Sequence, residues 1–457
     1  MRLYYALSAY SRTGAVPLHM PGHKRRPEDY LVGAALDITE IDGFDNLHQP
    51  EGLLRDAMAY AAGVWGAEHS AFCVNGSTGG ILSAIHACAG RGEKILVARN
   101  CHKSVWHAIE LCRLTPVVLT PPMVEDTGIF ASIPPKMVED ALQMEENVAL
   151  VVITSPTYEG VISDIAGISA AAHRHGVPVL VDEAHGAHLG FGPFPLGAVR
   201  AGADIVIQSL HKTLPSLTQT AIAHVQGNLV EFGAFLRSKN IFETSSPSYL
   251  LMASCDGCAH LLAERPAQIE AWYAILADFS AQMQTLRHLR LLCPTDSPAV
   301  FSADPSKLIV SVRGTGLTGP ALLDRLRREF GIELEMASAD YALAMTGLGT
   351  VPEHLDAFAG ALLAIDATCR TLPADKPIDT PPVPHLCLRP ADAILASQAD
   401  CPLHAAEGKI AAGYLWAYPP GIPLILPGQR IDAATLAYLA ALRGNGVALS
   451  DRIAVLL

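Results

Sequence analysis

The segment Ile207-Gln-Ser-Leu-His-Lys-Thr-Leu214 contains a lysine, Lys212, directly after an apolar run that has the length of a β-strand. Thirty residues upstream of this lysine, Val179-Leu-Val-Asp-Glu-Ala-His-Gly186 ends a second apolar run in an acid, Asp182. Parallel strands present their carboxyl ends to one crevice, so we expect the acid and the lysine to converge on a ligand there. A surface lysine would explain the first segment alone, but it would not explain the pair.

A glycine-rich segment, Asn75-Gly-Ser-Thr-Gly-Gly80, precedes a helical spacing that begins at Ile81. Close backbone approach at Gly76, the hydroxyls of Ser77 and Thr78, and a helix N-terminus favour an anion, although glycine-rich turns are common without one. The segment lacks the lysine of a P-loop. A lysine amine, an acid and a phosphate cradle together are what pyridoxal 5′-phosphate requires, because it forms a Schiff base and its ring nitrogen pairs with an acid.

A histidine, His102, follows the strand candidate Ile95–Ala98 in the segment Arg99-Asn-Cys-His-Lys-Ser104. A single histidine at such a position is usually structural. Beside a pyridoxal phosphate site, however, a flat imidazole can stack on the ring. We therefore expect His102 to cover one face of the ring.

Composition limits the classes of protein to which the chain can belong. It has 457 residues, a formal net charge of −13, 50% hydrophobic residues and a mean hydropathy of +0.28. This length suggests two or three domains, and the hydrophobic content excludes long disorder. The apolar runs are strand-sized, whereas a spanning helix needs about 20 residues, and the first residues lack the long apolar segment that is typical of a secretion signal. An acidic chain also disfavours nucleic acid, so we predict a cytoplasmic protein with neither a nucleic-acid nor a membrane partner.

The ten cysteines do not form a recognisable metal or disulfide pattern. Cys255 and Cys258 form a C-x-x-C pair, but no second pair stands at zinc-site spacing. We predict ordinary reduced thiols and no bound metal.

Strand-like and helix-like segments alternate from about residue 51, which predicts a mostly parallel sheet flanked by helices. Residues 1–50 carry many prolines and glycines and are expected to form an irregular arm, whereas residues 249–289 look helical. A proline-rich connector is expected at residues 371–385. The predicted domains are an arm (1–50), a large cofactor-binding domain (51–292), a small α+β domain (293–372) and a C-terminal region (373–457).

Several motifs together resemble the Orn/Lys/Arg decarboxylase family of fold type I enzymes that use pyridoxal phosphate. Besides the two strand-end segments, they are Pro21-Gly-His-Lys24, Asp37-Ile-Thr-Glu-Ile-Asp-Gly-Phe-Asp-Asn-Leu-His48, Thr244-Ser-Ser-Pro-Ser-Tyr249 and Tyr418-Pro-Pro-Gly-Ile-Pro423. These matches extend over nearly the whole chain. The resemblance implies α-decarboxylation of lysine, arginine or ornithine to the corresponding amine and carbon dioxide.

The resemblance also implies a role for individual residues. Lys212 would form the Schiff base, Asp182 would pair with the ring nitrogen, and Ala184 would lie under the ring opposite His102. His185 would lie beside the ring and help to position or protonate the substrate carbon. The implied phosphate ligands are Ser77, Thr78, Ser209 and His211. Thr157 matches a contact to the ring hydroxyl, although a structural turn would explain it equally well.

The resemblance further implies an obligate homodimer with shared active sites, or a larger assembly of such dimers. In this family, the segment that matches Thr244–Ser246, which includes Ser245 and Ser246, reaches the cofactor of the neighbouring subunit. Larger family members carry an additional N-terminal domain that resembles a response regulator. Pro21-Gly-His-Lys24 lies too near the start for such a domain, so the chain resembles the short branch.

Three departures from the family pattern concern the substrate entrance and the first motif. Gly413 stands where a glutamate is usual, Gln429 replaces an acid, and Arg25-Arg26 replaces small residues. Because a buried substrate cation needs a carboxylate, Glu243 and Asp45 are candidate partners, although either can equally be a surface residue.

Three other functions remain open at the level of sequence. An aminotransferase would share Lys212 and Asp182 but would release a keto acid without carbon dioxide. A lyase acting on another amino acid is the second alternative. The third is a catalytically silent homologue that regulates or assembles with other proteins.

Overall fold

A seven-stranded sheet forms the centre of the computed structural model, which describes residues 2–13, 15–26, 31–125, 127–373, 381–383, 385–417, 422–444, 447 and 449–457. In chain order, its strands are β1 (His69–Cys73), β2 (Lys94–Ala98), β3 (Thr115–Leu119), β4 (Val148–Thr154), β5 (Val179–Asp182), β6 (Ile205–Ser209) and β7 (Ala221–Val225). The spatial order is β1-β7-β6-β5-β4-β2-β3. β7 runs antiparallel to both neighbours, and the other neighbouring pairs are parallel. The predicted mostly parallel sheet is therefore confirmed.

The strands form because their residues are apolar in continuous runs rather than in alternation. In β4, residues 149–153 are all buried, as expected for a strand that is covered on both faces. In β4 and β5, polar residues appear only at the carboxyl ends, where Thr154 and Asp182 pair across the two strands. Asp182 in turn pairs with Ile207 of β6. This register brings the polar ends of three strands to one edge of the sheet.

The helices of the described residues lie mainly between these strands and after them. They are α1 (Leu3–Ser11), α2 (Leu53–Trp65), α3 (Gly76–Cys88), α4 (Lys103–Leu111), α5 (Pro135–Met144), α6 (Ile165–Arg174), α7 (Leu210–Thr213), α8 (Phe232–Phe242), α9 (Tyr249–Glu264), α10 (Pro266–Met283), α11 (Gly319–Phe330), α12 (Pro352–Asp366), α13 (Pro390–Leu395) and α14 (Ala433–Gly444). The long helical region expected at residues 249–289 is two helices. Pro266 lacks an N–H group and begins α10, so it separates the two.

The expectation that residues 1–50 are irregular throughout is wrong for α1. Leu3 and Leu7 stand four residues apart and are buried, and the helix packs against α9. The backbone N–H of Leu3 also donates to Asp256 Oδ2 at 2.7 Å. The prolines and glycines of the segment lie after this helix and do not interrupt it, and tertiary packing stabilises it despite its short length.

A second, antiparallel sheet follows the long helices. Its strands are β8 (Arg290–Leu292), β9 (Lys307–Ser311), β10 (Met336–Ala337) and β11 (Tyr341–Met345), in the spatial order β8-β9-β11-β10. Short strand pairs are Met123–Val124 with Ile129–Phe130, Val161–Ile162 with Ser302–Ala303, Gln398–Pro402 with Arg452–Leu456, and Leu415–Ala417 with Ile422–Ile425. The domain bounds at 293 and 373 remain predictions. Much of the expected connector, including Pro377 and Pro384, lies outside the described residues.

The cysteines and the helices carry no sign of a disulfide framework or a membrane span. All ten cysteines are free thiols, and burial raises the pKa of Cys258 to about 12. The Sγ atoms of Cys255 and Cys258 donate to the carbonyl oxygens of Ala221 and Pro215. None of the helices among the described residues is long and apolar enough to cross a membrane.

Asp366, at the end of α12, fixes the chain between α10 and β8, and its removal tests how much this contact stabilises the fold. It accepts the backbone N–H groups of residues 287–289 at 2.7–2.9 Å. Burial alone would raise its pKa, but these bonds outweigh burial and lower it. Because Asp366→Ala leaves three donors unpaired, of which the Leu289 N–H is buried, we expect it to lower the free energy of unfolding by about 2–4 kcal/mol at pH 7.

The control is Asp356→Ala, which removes an exposed carboxylate from the same helix. A carboxyl group with a lowered folded-state pKa stabilises above its unfolded pKa and loses that effect as the pH falls. Urea unfolding should therefore show a difference between Asp366→Ala and the parent that shrinks below about pH 4. A difference that is equal for Asp366→Ala and Asp356→Ala, or that does not depend on pH, would contradict this account.

Candidate active site

A cavity of about 230 Å³ opens where the carboxyl ends of β4, β5 and β6 meet. Its wall contains seven of the residues singled out in the sequence: Ser77, His102, Thr157, Asp182, Ala184, His185 and Lys212. The wall also contains Asn100, Phe130, Thr154, Tyr158, Glu159 and Ile422. Residues that are far apart in the chain therefore meet at the edge where parallel strands end, as expected from the topology.

Lys212 carries its amine into the cavity from the short helix α7, which directly follows β6. Its Nζ lies 2.9 Å from His185 Nε2. Burial lowers the pKa of the Lys212 amine, and the carboxylate of Asp182 opposes this effect only in part. The arrangement therefore shifts the Lys212 amine towards its neutral form, which is the nucleophilic form of a lysine.

Asp182 ends β5 and is buried, with only 3% of its surface exposed. Its Oδ1 accepts the backbone N–H of Ala184 at 3.2 Å. Burial raises the pKa of the Asp182 carboxyl group, while Lys212 and the bond from Ala184 act in the opposite direction. A cationic group in the cavity would therefore find an acid whose charge few protein groups already compensate.

His185 connects the lysine to the buried interior. Burial lowers the pKa of its imidazole well below the usual value, and the positive charges of Lys212 and Lys307 add to this effect. Nε2 contacts Lys212, whereas Nδ1 is buried and has no hydrogen-bond partner among the described residues. The Tyr158 ring lies 4.6 Å from the imidazole, centroid to centroid. His185 is thus a neutral ring with one nitrogen still available for a bond.

His102 forms another part of the cavity wall and caps the N-terminus of α4. Its Nδ1 accepts the backbone N–H of Ser104 at 3.3 Å and lies 2.9 Å from the Ser104 hydroxyl oxygen. Burial, together with the charge of Lys212, lowers the pKa of His102 to about 4. The ring is therefore neutral at physiological pH and held in one orientation by the start of the helix.

The N-terminus of α3, where the sequence predicts an anion-binding site, reaches the cavity through Ser77. Gly76 has a φ of +72°, a left-handed conformation that favours glycine, and it turns the chain from β1 into the helix. A Cβ atom at Gly80 would lie 3.0 Å from Ile207, so the helix packs closely on β6. As a result, the Ser209 hydroxyl donates to the Ser77 hydroxyl oxygen at 3.0 Å.

Thr78 and His211 stand next to this region but do not form the cavity wall. Thr78 is exposed on the first turn of α3. His211 Nδ1 lies 2.9 Å from the carbonyl oxygen of Thr220, so this nitrogen already has a partner. Their role as phosphate ligands stays a prediction.

The predicted cross-subunit segment lies outside the cavity wall of its own chain. Ser245 and Ser246 are exposed in the connection between α8 and α9. Glu243 immediately precedes them and accepts the backbone N–H groups of Val74 and Thr244 at 3.0 and 3.1 Å. Within one chain, Glu243 therefore holds this connection against the end of β1.

Asp45, the other candidate for binding the substrate cation, organises the turn before α2. Its carboxylate accepts hydrogen bonds from the backbone N–H groups of Asn46, Glu51, Gly52, Leu54 and Arg55. It does not belong to the cavity wall of its own chain. A set of five backbone donors explains this residue structurally.

Sequence reasoning did not select six residues of the cavity wall. Tyr158 and Glu159 follow Thr157 in a segment that already attracted attention, and Thr154 ends a strand, so a signal was available for these. Glu159 Oε1 accepts the Tyr341 hydroxyl at 2.8 Å, and Oε2 accepts the Thr157 hydroxyl at 3.1 Å. Phe130 belongs to a two-residue strand and carried no signal in the sequence.

The ionisation of Lys212 provides a test of the cavity electrostatics without any ligand. Asp182 is the strongest of the charges that raise the pKa of Lys212, so Asp182→Asn should lower this pKa further. The pH dependence of amine acylation, followed at the Lys212 peptide by mass spectrometry, measures the change. Asp140→Asn, on the surface, should leave the Lys212 profile where it was. An unchanged or raised pKa of Lys212 in Asp182→Asn would contradict an electrostatic interaction between Asp182 and Lys212.

Comparison with known proteins shows similarity over almost the whole chain. A family model described as Orn/Lys/Arg decarboxylase, major domain, matches residues 2–308, and a model of the C-terminal domain of that family matches residues 382–448. An arginine decarboxylase of Bacillus anthracis is 34% identical over 455 residues, covering 96% of this chain and 92% of the relative.

Two solved structures show the same fold at lower sequence identity. The crystal structure of the Francisella novicida lysine decarboxylase LdcF has a TM-score of 0.83 at 19% identity, covering 99% of this chain and 80% of that one. A structure of SPT with PLP has a TM-score of 0.55 at 16% identity, covering 69% of this chain and 76% of that one. These matches confirm the predicted fold class. From the family models and the identity to the Bacillus relative, the chain belongs to the Orn/Lys/Arg decarboxylase family.

Proposed function

We propose that the protein is a pyridoxal-phosphate-dependent decarboxylase that converts a basic amino acid to its amine and carbon dioxide. The observation that carries the proposal is the meeting of Lys212, Asp182 and His185 in one buried cavity at the ends of parallel strands. Family membership supports the reaction. The alternatives are an aminotransferase, a lyase acting on another amino acid, and a silent homologue.

The residues of the cavity fit pyridoxal phosphate in chemical type. Lys212 provides a buried amine for the aldehyde carbon, and Asp182 provides an acid for the ring nitrogen. We assign His102 and Ala184 to opposite faces of the ring. The phosphate would be held by the start of α3 together with Ser77, Thr78, Ser209 and His211, and the ring hydroxyl by Thr157.

Bound pyridoxal phosphate supplies an electron sink, which takes up the electron pair left on the substrate carbon when carbon dioxide departs. The protein supplies orientation and a site of low water content. Lys212 and Asp182 fix two ends of the reacting group, and such positioning can be worth an effective molarity of about 10⁵ M or more. Asp182 would pair with the ring nitrogen and favour its protonated form, because the Asp182 carboxylate has few other partners.

The proton that replaces the carboxyl group needs a carrier close to the substrate carbon. His185 Nε2 and Lys212 Nζ are 2.9 Å apart, and burial lowers the pKa of both groups, so a proton that either atom holds can pass to the other. We assign His185 to positioning and proton transfer, with Lys212, a tyrosine or water as the alternative donor. Tyr158 is the tyrosine of the cavity wall.

Arginine is the first substrate to test, because the Bacillus anthracis relative is named an arginine decarboxylase, and lysine and ornithine follow. Glu159 is an acid in the cavity wall that can face a substrate cation. The two positions that depart from the family pattern have structural contacts. A Cβ atom added at Gly413 would lie 3.4 Å from the Cβ of Ala454. The side-chain oxygen of the buried Gln429 accepts the backbone N–H of Leu426. Glu243 and Asp45 stay candidates for a site that a second subunit completes.

We further propose a homodimer, or an assembly built from it, in the cytoplasm. The exposure of Ser245 and Ser246 supports this, because the family resemblance assigns them to the partner's cofactor. Large apolar side chains of the arm, such as Leu18, Met20 and Val32, are also exposed in the single chain. A second copy of the chain would cover such a surface.

The direct test incubates the purified protein with pyridoxal phosphate and each of arginine, lysine and ornithine, and measures carbon dioxide and amine by mass. We expect one amine with an equal amount of carbon dioxide. Lys212→Ala should lower the rate at least about a thousandfold, because no other group offers the covalent link. Lys136→Ala removes an exposed lysine and should keep the parent rate.

Three results would contradict the proposal. A keto acid without carbon dioxide would indicate an aminotransferase. Cleavage of another bond would indicate a different lyase. If the protein takes up no pyridoxal phosphate and Lys212→Ala changes nothing in the cell, the protein is a silent homologue.

A further inference from the structure

Asp304 and Lys307 form a fully buried ion pair behind the wall of the cavity. Both side chains are 0% exposed, and Lys307 Nζ lies 2.9 Å from Asp304 Oδ2. Asp304 precedes β9 and Lys307 begins it, so the second sheet supplies the pair to the large sheet. The family motifs quoted above do not include either residue.

Polar contacts satisfy the Asp304 carboxylate on every side. Oδ1 accepts the backbone N–H of Ser306 at 2.9 Å and lies 3.1 Å from His188 Nε2. Oδ2 accepts the Ser306 hydroxyl at 2.8 Å in addition to Lys307. The carboxylate is therefore fixed in position, and it fixes the ammonium group of Lys307.

Lys307 contacts the loop after β5, and both members of the pair contact the turn after β4. Its Nζ donates to the backbone carbonyl oxygen of His185 at 3.4 Å. The turn that carries Thr157 ends at Gly160, where an added Cβ atom would lie 2.9 Å from Lys307 Cγ. The backbone N–H of Asp304 donates to the Gly160 carbonyl oxygen at 2.8 Å. The pair thus joins the loop after β5 to the turn after β4.

Stability alone does not account for a pair of this kind. Two charges lose their hydration when they are buried, and apolar residues of similar volume often stabilise a protein equally well or better. Removing one partner is different, because it leaves the other charge buried and unpaired. A role in the site explains why a charged pair, rather than an apolar one, occupies this position.

We propose that Lys307, held in place by Asp304, is a positioning residue for the reaction. From the second sheet, Lys307 fixes the backbone of His185 through the His185 carbonyl oxygen. This in turn keeps His185 Nε2 in contact with Lys212 Nζ. The inference rests on the proposed function for its kinetic part. Lys307 itself lies behind the wall and is not among the residues that line the cavity.

The charge of Lys307 also acts on the same two groups. The charged and titratable groups that face Lys212 or His185 from the surrounding elements are Asp182, Glu335, Lys307, Asp304, His102 and Tyr158. Among these, Lys307 lowers the pKa of both Lys212 and His185. Without this charge, more of the Lys212 amine is protonated at a given pH, and a protonated amine cannot attack an aldehyde.

Two variants separate positioning from folding. Lys307→Met keeps most of the stem but leaves the Asp304 charge unpaired, so we expect its melting temperature to fall. The double variant Lys307→Met with Asp304→Asn removes both charges, so we expect it to regain much of that loss. Lys94→Met is the matched control. Lys94 begins β2, at the end of the strand opposite the cavity, and its Nζ lies 2.7 Å from Glu145 Oε2 in a partly exposed ion pair.

The first readout is the attachment of pyridoxal phosphate to the cofactor-free protein, followed by absorbance from pH 6 to 10. We expect attachment at pH 7 to be about threefold slower in both Lys307 variants, with the acid limb of the profile displaced to higher pH. Lys94→Met should follow the parent curve. The second readout is turnover, for which kcat should fall about tenfold or more while KM changes less than threefold.

A merely structural role predicts that the double variant regains the parent attachment profile and kcat together with the parent stability, and this result would overturn the inference. An attachment profile that is unchanged in the stable double variant would overturn it equally. The attachment readout needs no substrate. If the parent protein attached pyridoxal phosphate but decarboxylated no basic amino acid, the proposed reaction would fail, whereas the inference about Lys307 would still be decided by attachment.

Discussion

The 2.9 Å contact between Lys212 Nζ and His185 Nε2 is the interaction around which the rest of the site is arranged. It exists because β5 and β6 are neighbours that run in the same direction and end at the same edge of the sheet. The short helix after β6 and the loop after β5 then face one another. Antiparallel pairing of these two strands would place the two side chains at opposite ends of the sheet.

Burial changes the ionisation of the groups at this contact. It lowers the pKa of both Lys212 and His185, and it raises the pKa of Asp182. The surrounding protein therefore disfavours the charged form of the amine and of the imidazole, beside a carboxyl group that has few partners. The C-terminal region contributes to the enclosure, because Arg99 at the end of β2 donates to the carbonyl oxygens of Pro423 and Leu424. Ile422, next to them, closes part of the cavity wall.

Much of this arrangement was predictable from the sequence, because apolar runs that end in a polar residue reveal both the strands and their carboxyl ends. Lys212, Asp182 and His102 were found in this way. The helix α1, the break at Pro266 and the pair of Asp304 and Lys307 were not. The break at Pro266 had a local signal in the proline itself. The helix α1 and the pair depend on contacts between residues far apart in the chain, such as Lys307 with His185, and a local pattern carries no information about such contacts.

The central claim is that Lys212 holds the cofactor. It is tested most directly by loading the protein with pyridoxal phosphate, reducing with borohydride and locating the modified peptide by mass spectrometry. The account predicts one stoichiometric modification, on Lys212, and none in Asp182-containing peptides or on exposed lysines such as Lys136. Modification of a different lysine, with Lys212 unmodified, would contradict it.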